Sequence, residues 1–221
     1  MQSDTIQTGQ GDLVITFLGH ASLMMTFGGK TIHIDPVSSE ADYAGLPGAD
    51  LVLITHDHFD HLDLKALATL RRNHTKLVGP PEVAAKVQGV IVMKNGDKQT
   101  VDGLAIEALP AYNILHVREP GKPFHPRGAG NGYIIHFGDK RVYIAGDTEN
   151  TPEMKQLKKI DIAFLPMNLP YTMTPEMVAD AACAFKPKIL YPYHYGETDT
   201  AKLSTLLKNE KGIEVRIRQM K

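Results

Sequence analysis

The feature that most constrains the fold is a short apolar run, Leu-Val-Leu-Ile-Thr at residues 51–55, which stops at a dense group of histidines and aspartates. An uninterrupted run rich in branched residues predicts a strand buried on both faces, and such a strand needs a layer of structure on each side. Similar runs at residues 13–17 and 31–34 predict further strands. Residues 63–72 and 174–185 predict helices with an aspartate or threonine cap. Strands and helices therefore alternate, which is typical of an α/β protein.

The chain length and composition predict one folded domain. With 221 residues, 43% hydrophobic and 22% charged, the chain is long enough for a sizeable core and has no disordered composition. We therefore expect a single domain over residues 1–221, made of an N-terminal half at 12–112 and a C-terminal half at 113–221. A strand ending at Asp35 or Asp147 precedes an aspartate that opens the next strand in each half, so the halves resemble a repeat.

Charge and cysteine content exclude several classes of protein. A net charge of -1 disfavours binding to a nucleic acid backbone, and a single cysteine, Cys183, cannot form an internal disulfide. The polar N-terminus and the lack of 18 consecutive apolar residues predict neither a signal peptide nor a membrane span, so a cytoplasmic location is expected. The sequence leaves the oligomeric state open.

The group that follows the apolar run reads His56-Asp57-His58-Phe59-Asp60-His61. Side chains two positions apart on extended chain point the same way, so His56 and His58 can converge on one metal ion. Asp60 and His61 then point elsewhere, towards a second ion. The alternative, a solvated polar loop, does not explain three histidines and two aspartates in six residues directly after a buried strand.

This segment fits the HxHxDH signature and resembles the metallo-β-lactamase superfamily. The resemblance implies a four-layer αββα sandwich, in which two mixed sheets lie inside and helices cover their outer faces. It also implies that Asp147, in a Gly-Asp pair at a strand end, bridges two metals, and that His194 completes the second site. His20 and Asp35 are similar to residues on N-terminal strands that approach the site, which implies support for the metal ligands. The branch with these strands includes ascorbate-6-phosphate lactonases and many bacterial and archaeal hydrolases.

One position departs from the family pattern. Where the superfamily normally has a third histidine of site 1, this sequence has Asn113. Two later histidines, His116 and His125, are able to fill the vacancy, and we favour His125 because the Pro/Gly-rich loop around it can fold over a site. A solvated loop histidine is the alternative. Without a third histidine, site 1 (His56, His58 and Asp147) has fewer protein ligands than site 2 (Asp60, His61, His194 and Asp147). This difference predicts tighter metal binding at site 2.

The expected activity is metal-dependent hydrolysis of a small ester, lactone or phosphoester. Imidazole and carboxylate ligands suit one or two zinc ions, with iron or manganese as alternatives. Asp60 is the expected catalytic residue because it can orient a metal-activated hydroxide and accept its proton. An iron-dependent redox enzyme and a non-catalytic metal-binding protein are the alternatives on the same fold.

Substrate contacts are predicted on two segments. Lys122, His125 and Arg127 bring positive charge into the long loop, and residues 168–173 follow a strand expected to end near the site. A small anionic metabolite fits this pattern. A solvated basic loop explains the same charges.

Overall fold

The computed structural model describes residues 1–221 and contains two seven-stranded mixed sheets drawn from consecutive parts of the chain. The first sheet holds, in spatial order, β1 (Gln2–Thr8), β2 (Gly11–Gly19), β3 (Ser22–Phe27), β4 (Lys30–Ile34), β5 (Leu51–Leu53), β6 (Lys76–Gly79) and β7 (Val90–Val92). The second holds, from one edge to the other, β8 (Lys98–Val101), β9 (Leu104–Ala111), β12 (Gly130–Phe137), β13 (Lys140–Ile144), β14 (Ile162–Pro166), β15 (Ile189–Tyr193) and β16 (Glu214–Val215). A separate hairpin pairs β10 (Val117–Glu119) with β11 (Lys122–Pro123).

Four of the five helices begin at a capping aspartate or threonine, and the second begins at a proline pair. The helices are α1 (Leu64–Leu70), α2 (Pro81–Ala84), α3 (Pro152–Lys155), α4 (Pro175–Phe185) and α5 (Thr200–Leu207), with a 3-10 turn at Tyr43–Gly45. The carboxylate of Asp63 accepts the Lys65 N–H at 2.7 Å at the start of α1. The hydroxyl of Thr174 accepts the Met177 N–H at 3.1 Å at the start of α4. Both caps fill donors that a helix leaves unpaired in its first turn.

The two sheets pack face to face over the main hydrophobic core. That core takes fully buried side chains from both sheets, among them Ile15 of β2 and Phe164 of β14. Helix α1 covers the outer face of the first sheet through Leu67 and Leu70, and α4 covers the second through residues such as Val178. The predicted four-layer αββα sandwich is therefore present.

Two segments differ from the sequence interpretation. The loop at residues 119–132 was expected to be structureless, but it contains part of the β10–β11 hairpin and the start of β12. The polar N-terminus, which no apolar pattern marked, forms β1, an edge strand paired antiparallel with β2. Both escape prediction because short or exposed edge strands need no continuous apolar run.

The central strands bring their carboxyl ends to one edge of the sandwich. β4 and β5 are parallel neighbours in the first sheet, as are β13, β14 and β15 in the second. The loops that follow these strands carry most of the predicted site residues, and side chains from both sheets meet there: His56 Nε2 lies 4.0 Å from Asp147 Oδ2. This is the edge where α/β proteins place their chemistry.

Candidate metal centre

Two groups of side chains form the centre, and each has ligand atoms within 4.8 Å of one another. The first group contains His56, His58 and His125, and the second contains His20, Asp60, His61 and His194. Both lie where the sequence predicted sites 1 and 2. The structure brings the six predicted ligands together and adds His125 to the first group and His20 to the second.

Asp147 lies between the two groups, as expected of a bridging carboxylate. Its Oδ2 is 3.3 Å from His125 Nε2 and 3.3 Å from His194 Nε2, while its Oδ1 is 3.4 Å from His61 Nε2. Only 4% of Asp147 is exposed, so its charge is shielded from water. A cation in either group would lie close to this carboxylate.

Unpaired atoms in the centre fit a bound metal. The Nε2 atoms of four buried histidines and Oδ1 of Asp147 have no hydrogen-bond partner; the histidines are His56, His61, His125 and His194. A buried polar atom without a partner costs about 1–3 kcal/mol. Five such atoms converging on one place are the donor set that a metal ion requires, and imidazole nitrogen with carboxylate oxygen suits zinc, iron or manganese.

Electrostatics point the same way. Burial alone would raise the pKa of Asp147, but the positive charges of the nearby imidazoles, His194 and His61 first, hold it well below its usual range. Burial would lower the pKa of His194, yet the carboxylates of Asp147 and Asp60 raise it to about 9. The buried carboxylates thus draw positive charge into the centre, and a metal cation bound there would supply that charge in place of the histidine protons.

Asp35 orients His61 from behind. It is fully buried, and its Oδ2 accepts the Nδ1–H of His61 at 2.8 Å and the Thr55 hydroxyl at 2.6 Å. Its Oδ1 accepts the Thr55 N–H at 2.7 Å. A proton on Nδ1 leaves Nε2 of His61 free to ligate, so Asp35 lies where the sequence analysis expected a supporting residue.

His125 lies in the first group, beside the Asn113 that stands at the family's histidine position. Asn113 Oδ1 accepts the His125 N–H at 2.8 Å and its Nδ1–H at 2.7 Å, which turns Nε2 towards Asp147. The amide of Asn113 is thus engaged in fixing the ring of His125. A metal ion held by the first group would meet three imidazoles, so the shortage of ligands considered for site 1 would not arise. His116 points to Glu149 instead, at 2.7 Å.

Glu149 holds this loop in place, and sequence reasoning missed it. Its fully buried carboxylate accepts the backbone N–H groups of Ile114, Leu115 and His116 at 2.7–2.9 Å. It also accepts Asn113 Nδ2 at 3.2 Å. Burial raises the pKa of Glu149, but these N–H donors lower it below its usual value. Its donors are mostly backbone groups, which leave no mark in a sequence.

His20 lies closer to the centre than a purely supporting role requires. Its Nε2 is 3.3 Å from Asp60 Oδ2, and its ring centroid lies 3.8 Å from that of His194, with the two ring planes tilted by 42°. His20, Asp35 and His194 all have left-handed backbone, with φ of 49°, 42° and 48°. Such conformations are rare outside glycine and cluster at functional sites.

A cavity of about 930 Å³ opens over the centre. His20, His58, Asp60, His125, Asp147 and His194 line its floor, and the remaining walls include Glu40, Asp57, Phe59, Leu64, Lys86, Arg118, Asn168 and Tyr171. Asn168 and Tyr171 were predicted to contact substrate and do line the cavity, whereas Thr172 and Met173 are buried behind it.

The predicted cationic contacts need correction. Lys122 pairs with Glu119 in the β10–β11 hairpin at 2.7 Å, and Arg127 pairs with Glu153 at 2.5 Å, so neither lines the cavity. Arg118 and Lys86 supply its positive charge instead. Arg118 lies in the hairpin that the sequence showed as a loop, and Lys86 follows a short helix, so neither carried a recognisable signal.

Comparisons with known proteins identify the family of this chain. A family model described as a beta-lactamase superfamily domain matches residues 14–194. A UPF0173 metal-dependent hydrolase of Methanopyrus kandleri is 35% identical over 194 residues, which cover 82% of this chain and 84% of that protein. The crystal structure of a protein described as a metal-dependent hydrolase from Parabacteroides distasonis has a TM-score of 0.95 at 50% identity and covers 100% of this chain and 99% of its own.

A metallo-β-lactamase fold protein of Bacillus subtilis, only 14% identical, has a TM-score of 0.75 over 93% of this chain and 95% of its own, and so shares the fold. The chain belongs to the metallo-β-lactamase superfamily, and within it to the UPF0173 family of metal-dependent hydrolases. It is therefore a metal-dependent hydrolase. None of its helices is long and apolar enough to cross a membrane.

Proposed function

We propose that this hydrolase uses two zinc ions to cleave a small ester, lactone or phosphoester, with an anionic substrate favoured. The observation that carries this proposal is the convergence of four unpaired buried imidazole nitrogens on Asp147, which itself has an unpaired oxygen and lies between two groups of imidazole and carboxylate side chains. Two cations held by these ligands would supply a hydroxide nucleophile at neutral pH and polarise the bond under attack.

The chain's own residues divide the remaining work. His56, His58 and His125 would hold one ion, and Asp60, His61 and His194 the other, with Asp147 between them. His20 lies close enough to Asp60 to ligate or to steady that carboxylate. Zinc is the metal proposed because the ligands are imidazoles and carboxylates and the single thiol, Cys183, belongs to α4, outside the centre.

Asp60 is the proposed proton acceptor. It lines the cavity and is the most exposed carboxylate of the centre, at 29%, whereas Asp147 is enclosed. Burial would raise its pKa, but the imidazole of His194 at 3.6 Å and the hydrogen bond with His20 at 3.3 Å hold that pKa far below its usual range. Its Oδ2 faces these two histidines, which leaves Oδ1 to orient a nucleophile and take up its proton.

The test compares Asp60→Asn with wild type on p-nitrophenyl acetate, bis(p-nitrophenyl) phosphate and a γ-lactone, with zinc content measured on the same samples. In saturating zinc, which offsets the weaker metal binding of the variant, we expect kcat to fall by about 10²- to 10⁴-fold, because general-base assistance is lost. Asp57→Asn is the matched control, since Asp57 lies in the same loop but pairs with Lys86 at 2.6 Å. It should change kcat less than tenfold, roughly the scale of a surface ion pair. Near-normal turnover by zinc-loaded Asp60→Asn would contradict the role of Asp60.

The panel also tests the reaction class. If the wild-type protein binds two zinc ions and cleaves none of these bonds, ester, lactone and phosphoester hydrolysis is excluded for this centre. If activity appears only with iron, iron replaces zinc as the proposed metal.

A further inference from the structure

Exposed apolar side chains are among those that line the cavity. The chain has ten large hydrophobic residues with high exposure, and three of them line the cavity. We call these three the apolar rim: Phe59, Leu64 and Tyr171. Phe59 is 86% exposed although it stands between two residues of the centre. Single exposed hydrophobic residues are ordinary, but such a concentration at a site marks a surface that binds something.

An unpaired positive charge lies beside the rim. Arg118 lines the cavity and makes no ion pair or hydrogen bond within the protein; its guanidinium stacks on Phe124, 5.2 Å from the ring centroid. Phe124 in turn packs edge-on against Tyr171 at 5.1 Å. Lys86, the other cation of the cavity, is already neutralised by Asp57. Arg118 is therefore held in place by aromatic contacts, with its charge available to a ligand.

We propose, on the basis of the hydrolase function above, that the substrate is an amphipathic anion. Its scissile group lies at the metal centre, an acyl or aryl portion contacts Phe59, Leu64 and Tyr171, and a separate anionic group pairs with Arg118. The cavity volume of about 930 Å³ suits a molecule of this size better than a simple phosphate or acetate ester.

A substrate fits the rim better than a protein partner does. The rim residues line the same cavity as the metal centre, so a second chain seated across them would close that cavity to its substrate. Charged residues also interrupt the rim, because Glu40, Lys86 and Arg118 share the same walls. Charge complementarity at Arg118 and the opening of the cavity beneath the rim thus both favour a small molecule with one apolar and one anionic part.

The experiment measures binding of non-hydrolysable phosphonates to the zinc-loaded protein by calorimetry. From butyl- to octylphosphonate, we expect affinity to rise by about two- to fourfold per methylene, as for partial to full burial of each group. Phe59→Ser and Leu64→Ser should flatten this rise without loss of folding, since both side chains are exposed. Leu206→Ser is the matched control, because Leu206 is 43% exposed on α5 and does not line the cavity.

A second comparison tests Arg118. In wild type, 6-phosphonohexanoate should bind about tenfold or more tightly than hexylphosphonate, because its added carboxylate meets the guanidinium. Arg118→Gln should abolish this difference, and Arg127→Gln, whose arginine lies outside the cavity, should preserve it.

Three outcomes would overturn the proposal. The first is a phosphonate affinity that does not depend on the length of the alkyl chain. The second is a rise in affinity with alkyl length that Phe59→Ser and Leu64→Ser leave unchanged. The third is sedimentation showing a wild-type oligomer that these two variants dissociate, which would assign the rim to self-association. Binding with the expected pattern by a protein that hydrolyses nothing would support this inference while refuting the hydrolytic function, so the two failures are distinguishable.

Discussion

The two sheets have the same pairing pattern, yet their equivalent aspartates have different surroundings. In each sheet three antiparallel pairings are followed by three parallel ones, counted from β1 in the first and from β8 in the second. Asp35 follows the fourth strand of the first sheet, and Asp147 follows the fourth strand of the second. Asp35 supports a histidine from behind, whereas Asp147 lies between the two groups of the centre.

Hydrogen bonds account for this difference. Both oxygens of Asp35 are occupied by donors from Thr55 and His61 at 2.6–2.8 Å. Asp147 has an oxygen without any partner, in a site crowded by imidazole nitrogens. The fold thus places one carboxylate from each sheet, Asp35 and Asp147, at the same edge of the sandwich. Hydrogen-bond donors occupy Asp35, so Asp147 is the one available to a cation.

The sharpest test of this comparison is to remove the charge at Asp147. Asp147→Asn should lower hydrolysis by about 10³-fold or more, because a bridging carboxylate contributes to positioning both ions. Zinc content by mass spectrometry should fall from two equivalents to one or none. Full zinc content in this variant would show that Asp147 does not bridge.

The same change at Asp35 should have a smaller effect. Asp35→Asn keeps the shape but loses the charge behind His61, and loss of a partner behind a metal ligand typically costs about 10- to 100-fold in metal affinity. Zinc competition with a chromophoric chelator measures this loss. An effect as large as that of Asp147→Asn would mean that the two aspartates do not differ as described.

The two sheets also differ at one position inside their fourth strands. His33 of β4 and Tyr143 of β13 hold the same place in equivalent strands, and both are fully buried. Burial lowers the pKa of His33 to about 4, because only Nε2 has a partner, the carbonyl of Pro47 at 3.1 Å. The unfolded chain therefore binds a proton at a higher pH than the folded protein, and stability falls as the pH drops from about 6.5 towards 4.

His33→Gln should remove this dependence. From pH 7.5 to 5.5, wild type is expected to lose about 1.4 kcal/mol more stability than the variant, the cost of keeping one buried imidazole neutral. Urea unfolding of both proteins in saturating zinc measures the difference, since protonation of the metal ligands is common to both and cancels. Parallel pH profiles would contradict the depressed pKa of His33.

How far the sequence could predict this molecule depends on where each signal lies. His56, His58, Asp60 and His61 were visible because four ligands fall in one short segment after a buried strand. Asp147 and His194 were recognised only through family resemblance, since single residues at strand ends carry no pattern of their own.

Residues that act through distant contacts stayed hidden. From the sequence, His125 was one of two candidates for the third histidine of the first group. The contacts that position its ring join distant residues: Asn113 bonds His125 across 12 residues, and Glu149 bonds Asn113 across 36. Glu149 and Arg118 carry no local motif. β1 was missed because this edge strand consists almost entirely of polar residues and therefore shows no alternation of apolar and polar positions. The hairpin of β10 and β11 was missed because its strands are only 3 and 2 residues long.

The left-handed backbone at His20, Asp35 and His194 has a consequence for engineering. A conventional search for stabilising mutations would select these three positions for glycine, since each strained residue costs about 1–3 kcal/mol. Each such replacement would remove an imidazole or carboxylate on which the centre depends. The thermostability of this protein is therefore best improved in its helices and surface loops. At the strained edge of the sandwich, substitutions that raise stability would lower activity.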